Sequence, residues 1–198
     1  MKNSTMRFVL ASASPRRAEL LRAAGFAFDT CVVDVDERPR AGEPPRDYVR
    51  RLAMEKSAAA MAHLATRADV IVLGADTAVV VDGDILGKPQ DDADAARMLG
   101  RLSGRRHDVM TGLSLRTGTT ERGRVEMTAV TFVELGDSEV AWYVASGEGR
   151  DKAGAYAIQG LASHFIPKID GSYSNVVGLP IASVDELLKE LGCSYPVG

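Results

Sequence analysis

The sequence predicts an α/β fold, a mixed sheet flanked by helices, and three observations carry that reading. Strand-like apolar runs alternate with stretches of helical periodicity along the whole chain. The run DVIVL at 69–73 lacks the in–out alternation of a half-exposed strand, the pattern of a strand covered on both faces. Two long strand-like stretches, 107–116 and 124–134, flank a Gly/Thr-rich turn, which argues against a purely parallel sheet. With 198 residues, 45% of them hydrophobic, the chain can bury a sizeable core and reads as one domain over 1–198.

The elements follow in order. Residues 7–11 form an apolar strand. A helix follows over 15–24: Ser14 is a good N-cap residue, Pro15 suits the first helical position, Leu20, Leu21 and Ala24 share a face, and Gly25 stops it. Residues 26–35 read as a second strand and 36–45, with three prolines, as a loop. A long Ala-rich helix over 47–66 precedes the 69–73 strand. Asp82-Gly83 between 77–81 and 84–86 signals a tight hairpin. Helices over 92–102, 138–146 and 182–191 complete the pattern, and there is no internal repeat.

Composition excludes several function classes. A net charge of −3 does not suit a general binder of nucleic acid or anionic membrane, so any basic site is local. No stretch approaches the roughly 18 consecutive apolar residues of a membrane span. The start, MKNSTMRFVL, has no secretory apolar region, and a cytoplasmic protein is expected. Cys31 and Cys193 make neither a disulfide framework nor a metal motif. His63, His107 and His164 lack ligand spacing and read as structural.

Chemistry concentrates in a few stretches. The 15–24 helix carries Arg16 and Arg17 in its first turn, where the helix dipole is already positive. Two guanidinium groups there make sense if an anion occupies the spot, and phosphate matches their paired donors. Ser12 and Ser14 offer hydroxyls. The alternative is a pair of solvated surface arginines. Gly74-Ala75-Asp76-Thr77 follows an apolar strand, and a carboxylate beyond a strand end can act as a base or hold a metal. The alternative is a turn aspartate. Lys88 lies in Gly87-Lys88-Pro89, which is no Walker A loop because its glycine spacing is too short and Pro89 replaces the required Ser or Thr. GEGRDKAGAYAIQG, 147–160, is no dinucleotide loop, since Lys152 takes the third glycine position and a helix precedes it. It does gather Asp151, Lys152 and Gln159, whose amide either reads a base edge or is solvated. Lys56 borders a helix stripe of Val49, Leu52, Ala53 and Ala60. Asp34–Glu37, DVDE, places acids after the second strand.

Six motifs in order resemble the Maf family. They are Ser12-x-Ser14-Pro15-Arg16-Arg17; Gly74-Ala75-Asp76-Thr77; Gly87-Lys88-Pro89; Ser103-Gly104 with His107; Asp151-Lys152-Ala153-Gly154-Ala155-Tyr156 with Ile158-Gln159-Gly160; and Gly171-Ser172 with Val177-Gly178-Leu179-Pro180. Any one is weak, but their order from about Arg7 to Leu191 is specific. These are nucleoside triphosphate pyrophosphatases, also described as septum formation inhibitors. The resemblance implies an elongated mixed sheet with a deep cleft, a homodimer, and a divalent cation, Mg or Mn. It implies hydrolysis of a nucleoside triphosphate to the monophosphate and pyrophosphate. Asp76 matches the family's acidic base, and Glu37 an acidic position near the metal. Ser14, Arg16, Arg17, Lys56, Lys88 and Lys152 match its phosphate-site positions. Arg16, Thr77 and Gln159 match positions linked to base choice. Asp76-Thr77 with Ile158-Gln159-Gly160 resembles the subgroup acting on dTTP and UTP. Two other readings remain: a nucleotide-binding regulator of septum formation acting through a protein partner, and a pyrophosphatase for modified nucleotides.

Overall fold

In the computed structural model, which describes residues 6–64 and 69–193, strand β1 (Arg7–Ala11) pairs in parallel with β2 (Asp29–Thr30) on one side and β3 (Val70–Val81) on the other. β4 (Asp84–Leu86) folds back antiparallel on β3, and β7 (Lys168–Asp170) runs antiparallel to β6 (Glu121–Thr131). With β5 (Arg106–Arg116) between β3 and β6, the sheet order is β2-β1-β3-β5-β6-β7. The sheet is therefore mixed, as the sequence predicts. The helices are α1 (Pro15–Ala23), α2 (Pro45–His63), α3 (Asp92–Leu102), α4 (Asp137–Ser146), α5 (Tyr173–Val177) and α6 (Ile181–Glu190). Among the described residues no helix is long and apolar enough to cross a membrane.

The described residues group into two compact units. Among the described residues, the first covers 6–64, 69–76, 111–126 and 178–193; the second spans Thr77–Met110 and Met127–Val177. In the first, Phe8, Leu10, Leu21, Ile71, Leu73, Leu113, Leu179 and Leu187 form the main core, with Val9, Ala60 and Val72 in a smaller cluster. In the second, Val79, Leu99, Leu102, Val130, Phe132, Tyr143 and Phe165 pack together.

Four readings of the sequence are corrected. The 26–35 strand shrinks to Asp29–Thr30. It lies at the sheet edge, and Phe28 and Val33 pack inward from irregular chain, so their apolar pattern reflects packing rather than a ladder. The long helix starts at Pro45, and the expected end at Thr66 lies outside the described residues. Residues 69–73 and 77–81 join into one strand, β3, so Asp76 stands inside a strand and not in a turn. What ends near it is β1, whose last pairing is Ala11 with Gly74. β6 begins at Glu121, earlier than expected, because Thr117–Thr120 closes a tight turn through Thr117 N–H donating to Thr120 C=O at 2.9 Å. β7 and α5 were not read from the sequence, being only 3 and 5 residues long. The Asp82-Gly83 hairpin is as predicted, with both residues at positive φ.

One packing contact positions the chemistry. A Cβ on Gly74 would collide with the Ala53 carbonyl and the Ser57 backbone of α2, and one on Gly112 with the Val49 carbonyl. Helix α2 thus lies with its backbone directly against β3 and β5. That approach needs glycine at both places, and it brings the α2 side chain at position 56 beside the β3 side chain at position 76.

Candidate active site

Asp76 is buried, with 7% of its surface exposed, and Lys56 of α2 donates a hydrogen bond from Nζ to Asp76 Oδ1 at 2.6 Å. The same ammonium lies 2.6 Å from Glu37 Oε1, so one cation bridges two carboxylates. Glu37 reaches in from the exposed 36–43 loop and keeps 56% side-chain exposure, whereas Lys56 and Asp76 keep 11% and 10%. Burial lifts the Asp76 carboxyl above its ordinary value; the charges of Lys56 and Arg17 pull it back down, and Glu37 adds to the rise. The snorkelling lysine that an apolar helix stripe usually implies is instead a buried ion-pair partner.

This trio bears on metal binding. Among the described residues no group of three or more His, Cys, Asp or Glu side chains converges. Glu37 and Asp76 meet as a pair, on one positive charge. Two carboxylates completed by substrate phosphate oxygens suit Mg, which keeps waters and needs few protein ligands. The residues present therefore fit a Mg or Mn ion that arrives with a phosphorylated substrate.

The helix arginines separate. Arg17 is buried: Nε donates to Gly178 C=O at 2.8 Å, and Nη1 donates to Ala75 C=O at 2.9 Å and to Ser12 Oγ at 3.2 Å. The Ala75 carbonyl lies one residue past the last β1 pairing, so the guanidinium takes over where the ladder stops. Burial lowers the Arg17 pKa, and the charges of Asp76 and Glu37 oppose that. The solvated-surface alternative does not hold for Arg17. Arg16 is half-buried on the same turn. Ser14 occupies the N-cap position as expected, but its side chain makes no cap hydrogen bond, and no acidic residue sits in the first turn. Ser12, named in the sequence only as a hydroxyl donor, receives both Ser14 N–H at 3.1 Å and Arg17. It is the residue that the N-cap logic under-weighted.

The remaining candidates belong to the second unit. Thr77 is half-buried, and Lys88 and Gln159 are exposed. Gly154 N–H donates to Gly87 C=O at 3.0 Å, which joins the Gly87-Lys88-Pro89 loop to the Asp151–Tyr156 turn. Lys152 Nζ donates to Glu148 C=O at 2.7 Å and pairs with Asp151 at 2.6 Å. Gly154 and Ala155 both have positive φ, 69° and 59°, a conformation that an alanine adopts only under constraint. Glu148 organises this segment. It accepts from Tyr143 Oη at 2.7 Å and Leu161 N–H at 2.9 Å, and it leaves no room for a side chain at Gly160. Nothing in local sequence pattern marked Glu148, whose partners lie up to 14 residues away. His107 is buried, shares a 2.9 Å hydrogen bond with Tyr156 Oη, and burial pushes its pKa down to about 4. It is neutral at pH 7, consistent with its structural reading.

Lys56→Met tests the buried pair. It leaves the Asp76 charge without its nearest cation, and breaking such a pair typically costs about 3–5 kcal/mol. Protonation of Asp76 relieves that cost. A carboxyl whose pKa rises on folding loses stability as pH climbs from its unfolded value through its folded one. The stability gap between Lys56→Met and wild type, read by urea unfolding, should therefore be small near pH 4 and widen toward neutrality. A gap independent of pH would show that Lys56 does not stabilise the ionised form of Asp76.

Comparison with known proteins finds relatives along nearly the whole chain. A curated protein of Anaeromyxobacter dehalogenans is 51% identical over 194 residues, covering 96% of both chains. One of Shewanella oneidensis is 51% identical over 192 residues, covering 94% of this chain and 99% of the relative. One of Geobacter sulfurreducens is 51% identical over 190 residues, covering 94% and 97%. All three carry the name dTTP/UTP pyrophosphatase. Among solved structures, that of the Staphylococcus aureus Ham1 protein superposes with a TM-score of 0.53 at 15% identity, covering 93% of this chain and 99% of that one. This likeness shows the fold. The family model described as Maf-like protein matches residues 7–191. A match of that length, joined to relatives half identical over nearly their whole sequences, establishes that the chain belongs to the Maf family.

Proposed function

We propose that this chain hydrolyses dTTP and UTP to the monophosphate and pyrophosphate. The observation that carries the reading is the buried Asp76 carboxylate held at 2.6 Å by Lys56, with Glu37 on the same ammonium. A base must be ionised yet have real affinity for a proton. Burial supplies the affinity, and the charges of Lys56 and Arg17 oppose that rise and favour the ionised form. The names of the curated relatives support the substrate class and the reaction.

In this mechanism a triphosphate, with roughly four negative charges near neutral pH, is held by cationic groups rather than by covalent chemistry. On the family resemblance, Ser14, Arg16, Lys56, Lys88 and Lys152 supply polar and positive contacts. Arg17 holds the Ala75 carbonyl and adds its charge. Thr77 and Gln159 read the base. Glu37 and Asp76 would hold a Mg or Mn ion, which when bound neutralises phosphate charge. Water attacks the α-phosphorus, its proton passes to the Asp76 carboxylate, and the bond from the α-phosphorus to the bridging oxygen breaks to release pyrophosphate. Homodimerisation and a cytoplasmic location belong to the same reading and rest on the family resemblance.

The test is a substrate panel: dTTP, UTP, CTP, ATP, GTP and modified pyrimidine nucleotides with Mg or Mn, assaying pyrophosphate and free phosphate separately. Pyrophosphate from dTTP and UTP above the other nucleotides is expected. Release of free phosphate places the attack at the γ-phosphorus and overturns the mechanism. Preference for a modified pyrimidine would redirect the substrate assignment while keeping the chemistry.

A further inference from the structure

Glu37 presents a physical problem. It lies on an exposed loop, in a stretch without strand or helix, yet its carboxylate sits 2.6 Å from Lys56. Such a loop has little core of its own to fix it. The solution lies on α2. Tyr48, Arg51 and Glu55 recur at spacings of three and four residues, so they share one side of the helix, next to Lys56. Tyr48 Oη donates to the Glu37 backbone carbonyl at 2.9 Å. Arg51 Nη2 donates to the next carbonyl, that of Arg38, at 3.2 Å. Arg51 also clasps Glu43 at the far end of the loop, with Nε to Oε1 at 2.6 Å and Nη2 to Oε2 at 2.8 Å. Its Nη1 reaches Glu55 at 3.2 Å, and its guanidinium lies 5.6 Å from the centre of the Tyr48 ring. Arg51 and Glu43 keep only 12% and 9% side-chain exposure, unlike the loop they hold. Arg38 pairs with Asp36.

We propose that Tyr48 and Arg51 are positioning residues: they strap the 36–43 loop onto α2 and thereby seat Glu37 beside Lys56 and Asp76, where a cation-bearing nucleotide binds. The proposal rests on the reading of Glu37 given above. Two features distinguish the strap from ordinary loop packing. The two carbonyls it takes are those of Glu37, which carries the carboxylate paired with Lys56, and of the next residue, Arg38. The strap and Lys56 also come from the same helix, so the loop is registered to the ammonium that its carboxylate meets.

The test compares Tyr48→Phe, Arg51→Lys and Glu37→Gln with wild type. Lysine retains the charge of Arg51 but lacks the fork that holds Glu43 and Arg38 together. The readout is Mn2+ binding, followed by the loss of the free-ion resonance, in the presence of a non-hydrolysable dTTP analogue. One hydrogen bond of ordinary strength corresponds to about tenfold in affinity. Tyr48→Phe and Arg51→Lys should each weaken Mn2+ binding by several-fold to about tenfold. In turnover they should raise the metal concentration needed for half-maximal rate while kcat at saturating metal recovers. Adding Tyr48→Phe to Glu37→Gln should change Mn2+ binding no further, because a strap has nothing left to seat. If Glu37→Gln weakens Mn2+ binding but Tyr48→Phe does not, or if the two effects simply add, the strap is overturned and the reading of Glu37 survives. If Glu37→Gln itself leaves Mn2+ binding unchanged, both fall.

Discussion

Asp76→Asn is expected to lower pyrophosphate release from dTTP by about 10²–10⁴-fold, the usual worth of a positioned general base. The amide keeps the shape of the side chain and cannot accept the proton of the attacking water. Stability should move far less than activity. In the native protein the carboxyl is lifted by burial, which means the fold disfavours its charged form. The variant removes that charge while Lys56 retains Glu37 at 2.6 Å. A melting temperature near that of wild type, together with collapsed turnover, is the signature of a group kept for chemistry. The pH profile follows from the same burial. The acidic limb of kcat/KM for wild type should lie above the ordinary carboxylate range, because Asp76 stays protonated to higher pH than an exposed aspartate. Turnover that survives Asp76→Asn, with an unchanged acidic limb, would assign the base elsewhere.

The sequence revealed most of the fold because its signals were local. α3 is bounded as expected, with Asp91 accepting Asp94 N–H at 2.7 Å as its N-cap, and Asp82-Gly83 makes the hairpin its dipeptide promises. Where it misled, long-range pairing decided. Whether Gly74–Thr77 is a turn or part of a strand depends on what β1, β4 and α2 do, and none of these is visible from residues 74–77 themselves. The site was legible in its residue types more than in its contacts. Lys56, Asp76 and Glu37 were each singled out separately; the packing of α2 on Gly74 explains why Lys56 and Asp76 meet. Ser12, Tyr48 and Glu148 carry their weight through partners 5 to 14 residues distant, at spacings set by tertiary structure.

Arg17→Ala, by contrast, is expected to cost stability as well as activity, and Arg16→Ala only activity. The two arginines look alike in sequence, adjacent cations on an already positive helix end. Their surroundings differ. Truncating Arg17 strips donors from the Gly178 and Ala75 carbonyls in a buried setting. An orphaned buried acceptor costs about 1–3 kcal/mol, and removal of a cation from the helix N-terminus returns only several tenths. The net loss of about 2–4 kcal/mol should lower the melting temperature by roughly 4–16 °C for a chain of this size. Arg17→Lys should recover little, since an ammonium cannot reproduce donors held in a fixed fork. Arg16 is half-buried, and its replacement should leave the melting temperature unchanged or slightly raised while turnover falls. Calorimetry on the two variants decides the matter. Equal stability in both would mean that the Arg17 hydrogen bonds contribute nothing net; a large loss for Arg16→Ala would mean that it too is a structural group. The expected asymmetry has a functional reading. Under the proposed function, a helix end that attracts phosphate cannot use an acidic residue to calm its own dipole. Arg17 is tolerated there because its charge is engaged by backbone carbonyls and by the field of Asp76 and Glu37, and Arg16 adds a second positive charge on the same turn.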